Sequence, residues 1–346
     1  MRKRKPEDQW MPPDVYLHRR GGRPSCYVIK GKNSTKSLCQ ADATKAEVWT
    51  AYEAAIESSL SVYTFEKMAN NYIVSANFKE LALRTQKDRH RELDMFNKVF
   101  GSMEPDSIEP HHIRHYMDVR GNTSKTQANH ELSAASVVFA WGYERGRCKT
   151  NPAKSIKKFK QKPRDRYITN KEFDALLSCC ETRLRLACQI SYLCAARQSD
   201  VLALRWSQVD DDGLFIQQGK TGKKQIKAWS QQLIETINEA KTLHHGVASI
   251  YVINKSGGGR LTADGLRSAW KRAMDKLAVD HPEVERTFTF HDIKAKSISD
   301  FEGTIHDKQH FSGHKSTSQV HDYDRKVAIV PSIGSKKNAQ SHSEAF

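Results

Sequence analysis

Between Arg145 and Arg166 the chain carries ten basic side chains (Arg145, Arg147, Lys149, Lys154, Lys157, Lys158, Lys160, Lys162, Arg164, Arg166) and one acidic one, Asp165. A run this charged reads in two ways. It is a solvated linker, or it is a basic strap lying against phosphates between two domains. The 346 residues fit two to three domains and leave ample chain for a sizeable core. The whole chain carries a formal charge of +16, and the excess is spread along it: +4 over residues 1–60, +7 over 61–165 and +5 over 166–346. A neutral enzyme with one basic tail would not show this. The first partner to expect is a polyanion, with nucleic acid ahead of any other.

Hydrophobic patterning divides the chain in the same places. Residues 12–40 alternate in short strand-like stretches, Asp14–His18, Ser25–Lys30 and near Lys36–Leu38, with Arg19–Pro24 as a turn. A helix is expected over Thr44–Ser58. Residues 64–145 repeat apolar side chains at helical spacing, with Thr64 and Thr123–Lys125 before apolar runs and Gly101 after one. Beyond residue 166 the pattern is mixed. Helices are expected after Thr169, over 181–194, after Thr262 and near 291–302, 305–312 and 316–325. Strands are expected at Leu214–Ile216 and Gln225–Trp229 around the turn Gly219–Lys224, with a further strand at Ile250–Ile253. The terminal stretch Lys326–Val330 also reads as a strand, either on its own domain or on a neighbouring protomer.

The expected fold class is therefore α+β and multi-domain. A small three-stranded sheet plus helix (1–60) precedes an all-α module with the basic linker (61–165), and a mostly α domain with a small antiparallel sheet (166–346) follows. No apolar run of about 18 residues exists to span a membrane. Met1–Pro6 is basic with no apolar stretch behind it, so no secretory signal is expected. The seven cysteines contain no CxxC pair and read as reduced; no Cys/His spacing fits a zinc site.

Four short segments of the last part carry candidate chemistry. Arg197 precedes a helix start in Ala195–Trp206. Lys220 sits at the hairpin tip. Phe290–Lys294 contains His291 and Lys294 at a helix start. Ser312–Lys315 contains His314, and Tyr323 follows nine residues later. Singly, each has an ordinary explanation: a helix-start cation, a solvated lysine, capping or core histidines, a packing tyrosine. In this order and spacing they resemble the tyrosine recombinase (phage integrase) family, whose pattern is Arg, hairpin Lys, His-x-x-Arg, Gly-His or Gly-Trp, then Tyr. The stretches Met11–Leu17, Asn129–Ser133, Trp141–Gly146 and Asn151–Ala153 are similar to the arm-binding and core-binding parts of lambda-like integrases.

The resemblance implies a site-specific recombinase that cuts and rejoins DNA through a 3′-phosphotyrosine, without metal or high-energy cofactor, for integration and excision. It places Tyr323 as nucleophile and His291 as its acid/base partner. A phenol of ordinary pKa ~10 needs such help at neutral pH. Arg197, Lys294 and His314 would stabilise the charged transition state, and Lys220 would protonate the leaving 5′-oxygen. Asp200 either orients a site cation or is a helix first-turn acid. Candidate DNA contacts are Arg2, Lys3, Arg4, Arg19, Arg20, Lys154, Lys157, Lys158 and Lys160.

The implied partners are double-stranded DNA at core and arm sites and a DNA-bound homotetramer, with an excisionase and a DNA-bending host factor as further partners and no membrane. The implied location is the cytoplasm and nucleoid of a bacterial host. One position departs from the pattern: Lys294 stands where the family has its second arginine. A point charge replaces a planar fork. Two readings follow: a recombinase with slowed cleavage, or a DNA-binding member that has lost it. A topoisomerase of the same catalytic plan is disfavoured by the arm-like residues 1–58.

Overall fold

The computed structural model describes residues 6–30, 35–244, 248–327, 330, 332 and 333. Arg2, Lys3 and Arg4 lie outside the described residues. The chain divides into two compact units, Met1–Gln161 and Lys162–Phe346.

The first unit opens with an antiparallel sheet in sequence order, β1 (Val15–Arg20), β2 (Arg23–Lys30) and β3 (Thr35–Gln40). Gly21 and Gly22 join β1 to β2, both with left-handed φ (59° and 82°). That is what a two-residue hairpin loop requires if its twist is to match the strands. Helix α1 (Lys45–Ser61) starts at a capping box: the Glu47 amide donates to Thr44 Oγ1 at 3.3 Å, and the Thr44 amide donates to the Glu47 carboxylate at 2.7 Å. Met11, Val15, Tyr27 and Val48 form the small core between sheet and helix.

Helices α2 (Phe65–Ile73), α3 (Ala76–Lys79), α4 (Leu83–Phe100) and α5 (Pro110–Tyr143) pack around a separate core that includes Phe65, Leu93, Phe96, Ile113, Met117, Leu132 and Phe139. Helix α5 is two helices meeting at Ser124, whose backbone is extended (φ −160°, ψ 105°) and whose hydroxyl accepts from the Gln127 amide at 3.3 Å. This is the restart expected at Thr123–Lys125. The first part of the basic run is fastened to this module. Asn129 exchanges two hydrogen bonds with the Phe159 backbone (2.8 and 2.9 Å), and the Phe159 ring lies against Gly121, where a Cβ would come within 2.6 Å of it.

The second unit contains α6 (Asn170–Cys179), α7 (Thr182–Cys194), α8 (Gln198–Val201), α9 (Gln231–Lys241), α10 (Ala263–Asp280), α11 (Phe290–Asp300), α12 (Ile305–Ser312) and α13 (Thr317–His321). Thr169, Ser230, Thr262 and Thr304 cap four of them by accepting from backbone amides, each worth about 1 kcal/mol. Its sheet is antiparallel, β4 (Val209–Asp210), β5 (Gly213–Gln217) and β6 (Lys224–Lys227). Leu176, Leu186, Ile190, Leu214, Val252, Leu277 and Ile293 lie in one core. The last residues of the basic run are held here as well: Arg164 donates to Thr287 O at 3.0 Å and pairs with Asp292 at 2.9 Å, and Arg166 pairs with Glu172.

Two expectations are corrected. Ile250–Ile253 is not a strand; Tyr251 makes one isolated bridge to Arg205, because the chain turns away after it. The helix expected over 316–325 ends at His321: the Asp324 amide makes one more helical bond to the Val320 carbonyl (2.8 Å), and the Arg325 amide donates to Ser299 Oγ (2.7 Å) instead of to the His321 carbonyl. In Lys326–Val330, the described residues form no strand, and Ala328 and Ile329 lie outside the described residues. Among the described residues no helix is long and apolar enough to cross a membrane.

Candidate active site

Five of the six residues marked by the sequence pattern come together in the second unit. Each is delivered by a local device. Helix α7 stops at Ala195, which takes a left-handed conformation (φ 49°) and turns the chain so that Arg197 becomes the N-cap of α8. Arg197 Nη1 donates to Gln218 Oε1 at 2.7 Å. Gln218 stands just past β5, is almost wholly buried, and sends its own amide to the Ser312 carbonyl at 2.9 Å. One neutral side chain thus fixes both the first cation and the loop that carries His314.

Helix α12 ends on Gly313 (φ 68°). A Cβ there would lie 2.4 Å from Gln218 Nε2 and 2.6 Å from Gln225 Oε1. Glycine is needed for the conformation and again for the close approach. His314 follows. Its Nδ1 is 3.0 Å from Ser312 Oγ, and its Nε2 is buried without a hydrogen-bond partner among the described residues. Burial, with the Lys294, Arg197 and His291 charges around it, pushes the imidazole down to about 4.

Thr289 caps α11 through a capping box with Asp292, which places His291 in the first turn. His291 Nε2 lies 2.9 Å from the Tyr323 hydroxyl. Burial lowers the His291 pKa; Lys294, Arg325 and Arg197 act in the same direction, and Asp292 opposes them. A neutral imidazole with Nε2 free of hydrogen can accept the phenolic proton. The Tyr323 ring also packs against His314, centroids 4.8 Å apart. Its segment rests on Ala195, Ile298 and Val320.

Lys294 is 1% exposed, and its ammonium donates to the carbonyls of Ala195 and Ser312. It therefore bridges the backbone just before Arg197 to the backbone just before His314. Burial first, then the Arg197 and Lys227 charges, lower its pKa to about 7. Lys220 is the one marked residue outside this knot. It is exposed in the β5–β6 turn, beside Thr221–Lys223, which line a cavity with Gly313, His314 and Lys315. Asp200 reaches the same turn: Oδ1 accepts from the Gly219 amide at 3.0 Å, while Oδ2 is buried without a partner among the described residues.

Sequence reasoning missed Gln218, Lys227, Asp292 and Arg325. Lys227 is buried, donates to the Phe311 carbonyl, and has its pKa lowered to about 8 by burial. Gln218 adjoins the hairpin lysine, the one hint available. Asp292 shows as a helix first-turn acid, with no sign of its distant partners. The candidate DNA contacts Arg19, Arg20, Lys154, Lys157, Lys158 and Lys160 are exposed.

The site can therefore deprotonate a phenol at a histidine and hold cationic donors close by, the requirements of nucleophilic attack on a phosphodiester. A sequence model described as the phage integrase family matches residues 166–328. The integrase of Enterobacteria phage 434 is 26% identical over 205 residues, covering 55% of this chain and 56% of that protein. The chain spans just over half the length of the curated integrases it matches. The crystal structure of a lambda integrase dimer bound to a COC′ core site matches with a TM-score of 0.68 at 18% identity, covering 95% of this chain and 99% of that one. A lambda integrase tetramer bound to a Holliday junction matches with a TM-score of 0.65, also at 18% identity, covering 89% and 97%. At that identity the structural likeness shows the fold.

Proposed function

We propose that this chain, whose residues 166–328 form a domain of the phage integrase family, is a site-specific DNA recombinase acting through Tyr323. The observation that carries the reading is the Tyr323 hydroxyl 2.9 Å from His291 Nε2, with Arg197 and Lys294 near enough for their charges to act on both His291 and His314.

In this reading the Tyr323 oxygen attacks a backbone phosphorus as His291 Nε2 takes the phenolic proton. The bond to the 5′-oxygen breaks and a 3′-phosphotyrosine forms. Lys220, on its exposed turn, gives the leaving oxygen a proton. Arg197 and the Nε2 of His314 donate to the non-bridging oxygens as charge gathers there. Strand transfer reverses these steps with a new 5′-hydroxyl. The bond energy stays in the phosphotyrosine throughout. Lys294 acts chiefly by tying the Arg197 and His314 loops together, since both its hydrogen bonds go to backbone carbonyls of those loops.

The substrate is duplex DNA. The three-part division at residues 60 and 165 assigns arm sites to the β1–β3 sheet and core sites to the α module and catalytic domain; the separate hydrophobic cores around Val48 and around Phe96 support it. The lambda integrase tetramer on a Holliday junction supports a four-protomer assembly. A cytoplasmic, nucleoid-associated location and accessory bending or excision proteins complete the proposal.

A DNA substrate nicked next to the cleavage site tests it. The free end diffuses away and traps the covalent intermediate. The wild-type protein is expected to accumulate an adduct that maps to Tyr323, and Tyr323→Phe to form none while keeping its DNA affinity. A second reading, DNA binding without cleavage, is favoured by the commitment of Lys294 to carbonyls; tight binding with no adduct decides for it.

A further inference from the structure

Tyr323 lies just beyond the last helix of the described chain: its amide and that of Asp324 donate to the Val320 carbonyl (2.9 and 2.8 Å), and other residues hold the segment that follows. The residues that do so converge on one carboxylate. Asp292 is wholly buried. Its Oδ1 accepts from Arg325 Nη1 at 2.7 Å. Its Oδ2 accepts from the Thr289 amide and hydroxyl, each at 2.8 Å, and pairs with Arg164 at 2.9 Å. Arg325 also donates from Nη1 to the Arg166 carbonyl at 3.1 Å and from its amide to Ser299 Oγ at 2.7 Å, and its guanidinium sits 5.9 Å from the Tyr323 ring centre.

We propose that Asp292 is a positioning residue for the nucleophile, fastening the Tyr323 segment through Arg325 and fastening the end of the basic strap through Arg164 to the same carboxylate. Three segments distant in sequence, at 164–166, 289–292 and 323–325, meet there. His291 and Tyr323 lie within two of them. The separation between His291 and the phenol is thus set by the Asp292–Arg325 pair, because each side of that pair is one or two residues from a reacting group. A wholly buried carboxylate is tolerated only while its cations stay. Loss of Arg325 from it frees the Tyr323 segment. Loss of Arg164 loosens the strap that leads out of the catalytic unit, so strap and nucleophile are joined at one group.

This inference rests on the reading of Tyr323 as nucleophile, and the experiment separates the two. Adduct formation on the nicked substrate is measured under single-turnover conditions at saturating protein, beside DNA affinity and thermal unfolding. Asp292→Asn and Arg325→Gln are each expected to slow adduct formation roughly 10- to 100-fold, with DNA affinity within about twofold of wild type. The double variant is expected to be no slower than the slower single, because both changes break one interaction. Arg325→Lys, which keeps the charge, is expected to recover most of the rate, and Arg164→Gln to slow it only about threefold, since Arg325 still holds the carboxylate.

Wild-type adduct rates in Arg325→Gln, or a double variant as slow as the product of the two singles, would overturn the inference. Arg325→Gln decides the matter even if Asp292→Asn unfolds. A wild-type protein that forms no adduct removes the reading of the reaction, and the inference with it. An adduct formed equally fast by all variants removes the inference alone.

Discussion

The described residues form two three-stranded antiparallel sheets that are used in opposite ways. The sheet β1–β3 has a core of four buried side chains, a capped helix behind it and basic residues, Arg19 and Arg20, exposed at the end of β1. Those two cations are open to a partner. The sheet β4–β6 is seated through Leu214 and Ile216 on the large core of its unit, and its turn inserts Gln218 between Arg197 and the Ser312 carbonyl. The difference teaches where geometry has to be exact to a few tenths of an ångström. A surface that meets backbone phosphates tolerates mobile cations. A site that moves a proton across 2.9 Å does not.

The comparison breaks most easily at Gly313. Gly313→Ala must adopt a left-handed φ and push Gln218 and Gln225 aside; adduct formation on a core-site substrate is expected to fall ~100-fold or more, with binding to arm-site DNA unchanged. Next is Gln218→Leu. It strands Arg197 without its acceptor and removes a donor from Ser312, about 1–3 kcal/mol or roughly 10- to 100-fold in the same assay.

Lys294 gives a pH test of the second region alone. Its folded pKa, about 7, lies below that of an ordinary lysine. Above pH 7 the unfolded chain therefore binds a proton that the folded chain does not, and stability rises with pH until the ordinary lysine value is passed. Relative to Lys294→Met, the wild type is expected to gain about 1 kcal/mol per pH unit between pH 7 and 10 in denaturant unfolding. Below pH 7 both states carry the Lys294 proton and the lysine's own contribution is flat. The smallest effect belongs to the first sheet. Replacing Arg19 and Arg20 by alanine is expected to weaken arm-DNA binding severalfold and to flatten the log–log salt slope by about 0.9 for each phosphate no longer neutralised. Adduct formation on a short core-site substrate would not change.

Much of this was legible in the chain because local rules govern it. Thr64, Thr169 and Thr262 announce helix starts by side-chain chemistry alone, the Gly21–Gly22 turn requires positive φ, and Arg197, His291, His314 and Tyr323 keep a recognisable order. Legibility failed where tertiary contacts override local preference. The stretch 316–325 has helical spacing, yet Ser299 takes the Arg325 amide and the helix stops early. Ile250–Ile253 has strand composition but only one bridging partner residue. The Asp292 cluster joins residues 33 and 128 positions apart, and no periodicity records that. The basic run read as linker or strap; it is tied down on both sides of residues 160–163, at Phe159 and at Arg164, in a way its composition does not reveal.

In the proposed reaction Tyr323 is the nucleophile and its proton goes to His291; the nicked-substrate assay over a pH series checks both. A neutral His291 is required, and its pKa lies below the ordinary histidine value of 6.5. A covalent adduct at Tyr323 is expected, with a rate that rises with pH to a midpoint below 6.5 and then levels, no adduct from Tyr323→Phe, and loss of that limb in His291→Ala. An adduct at another residue, or one that survives Tyr323→Phe, would contradict it.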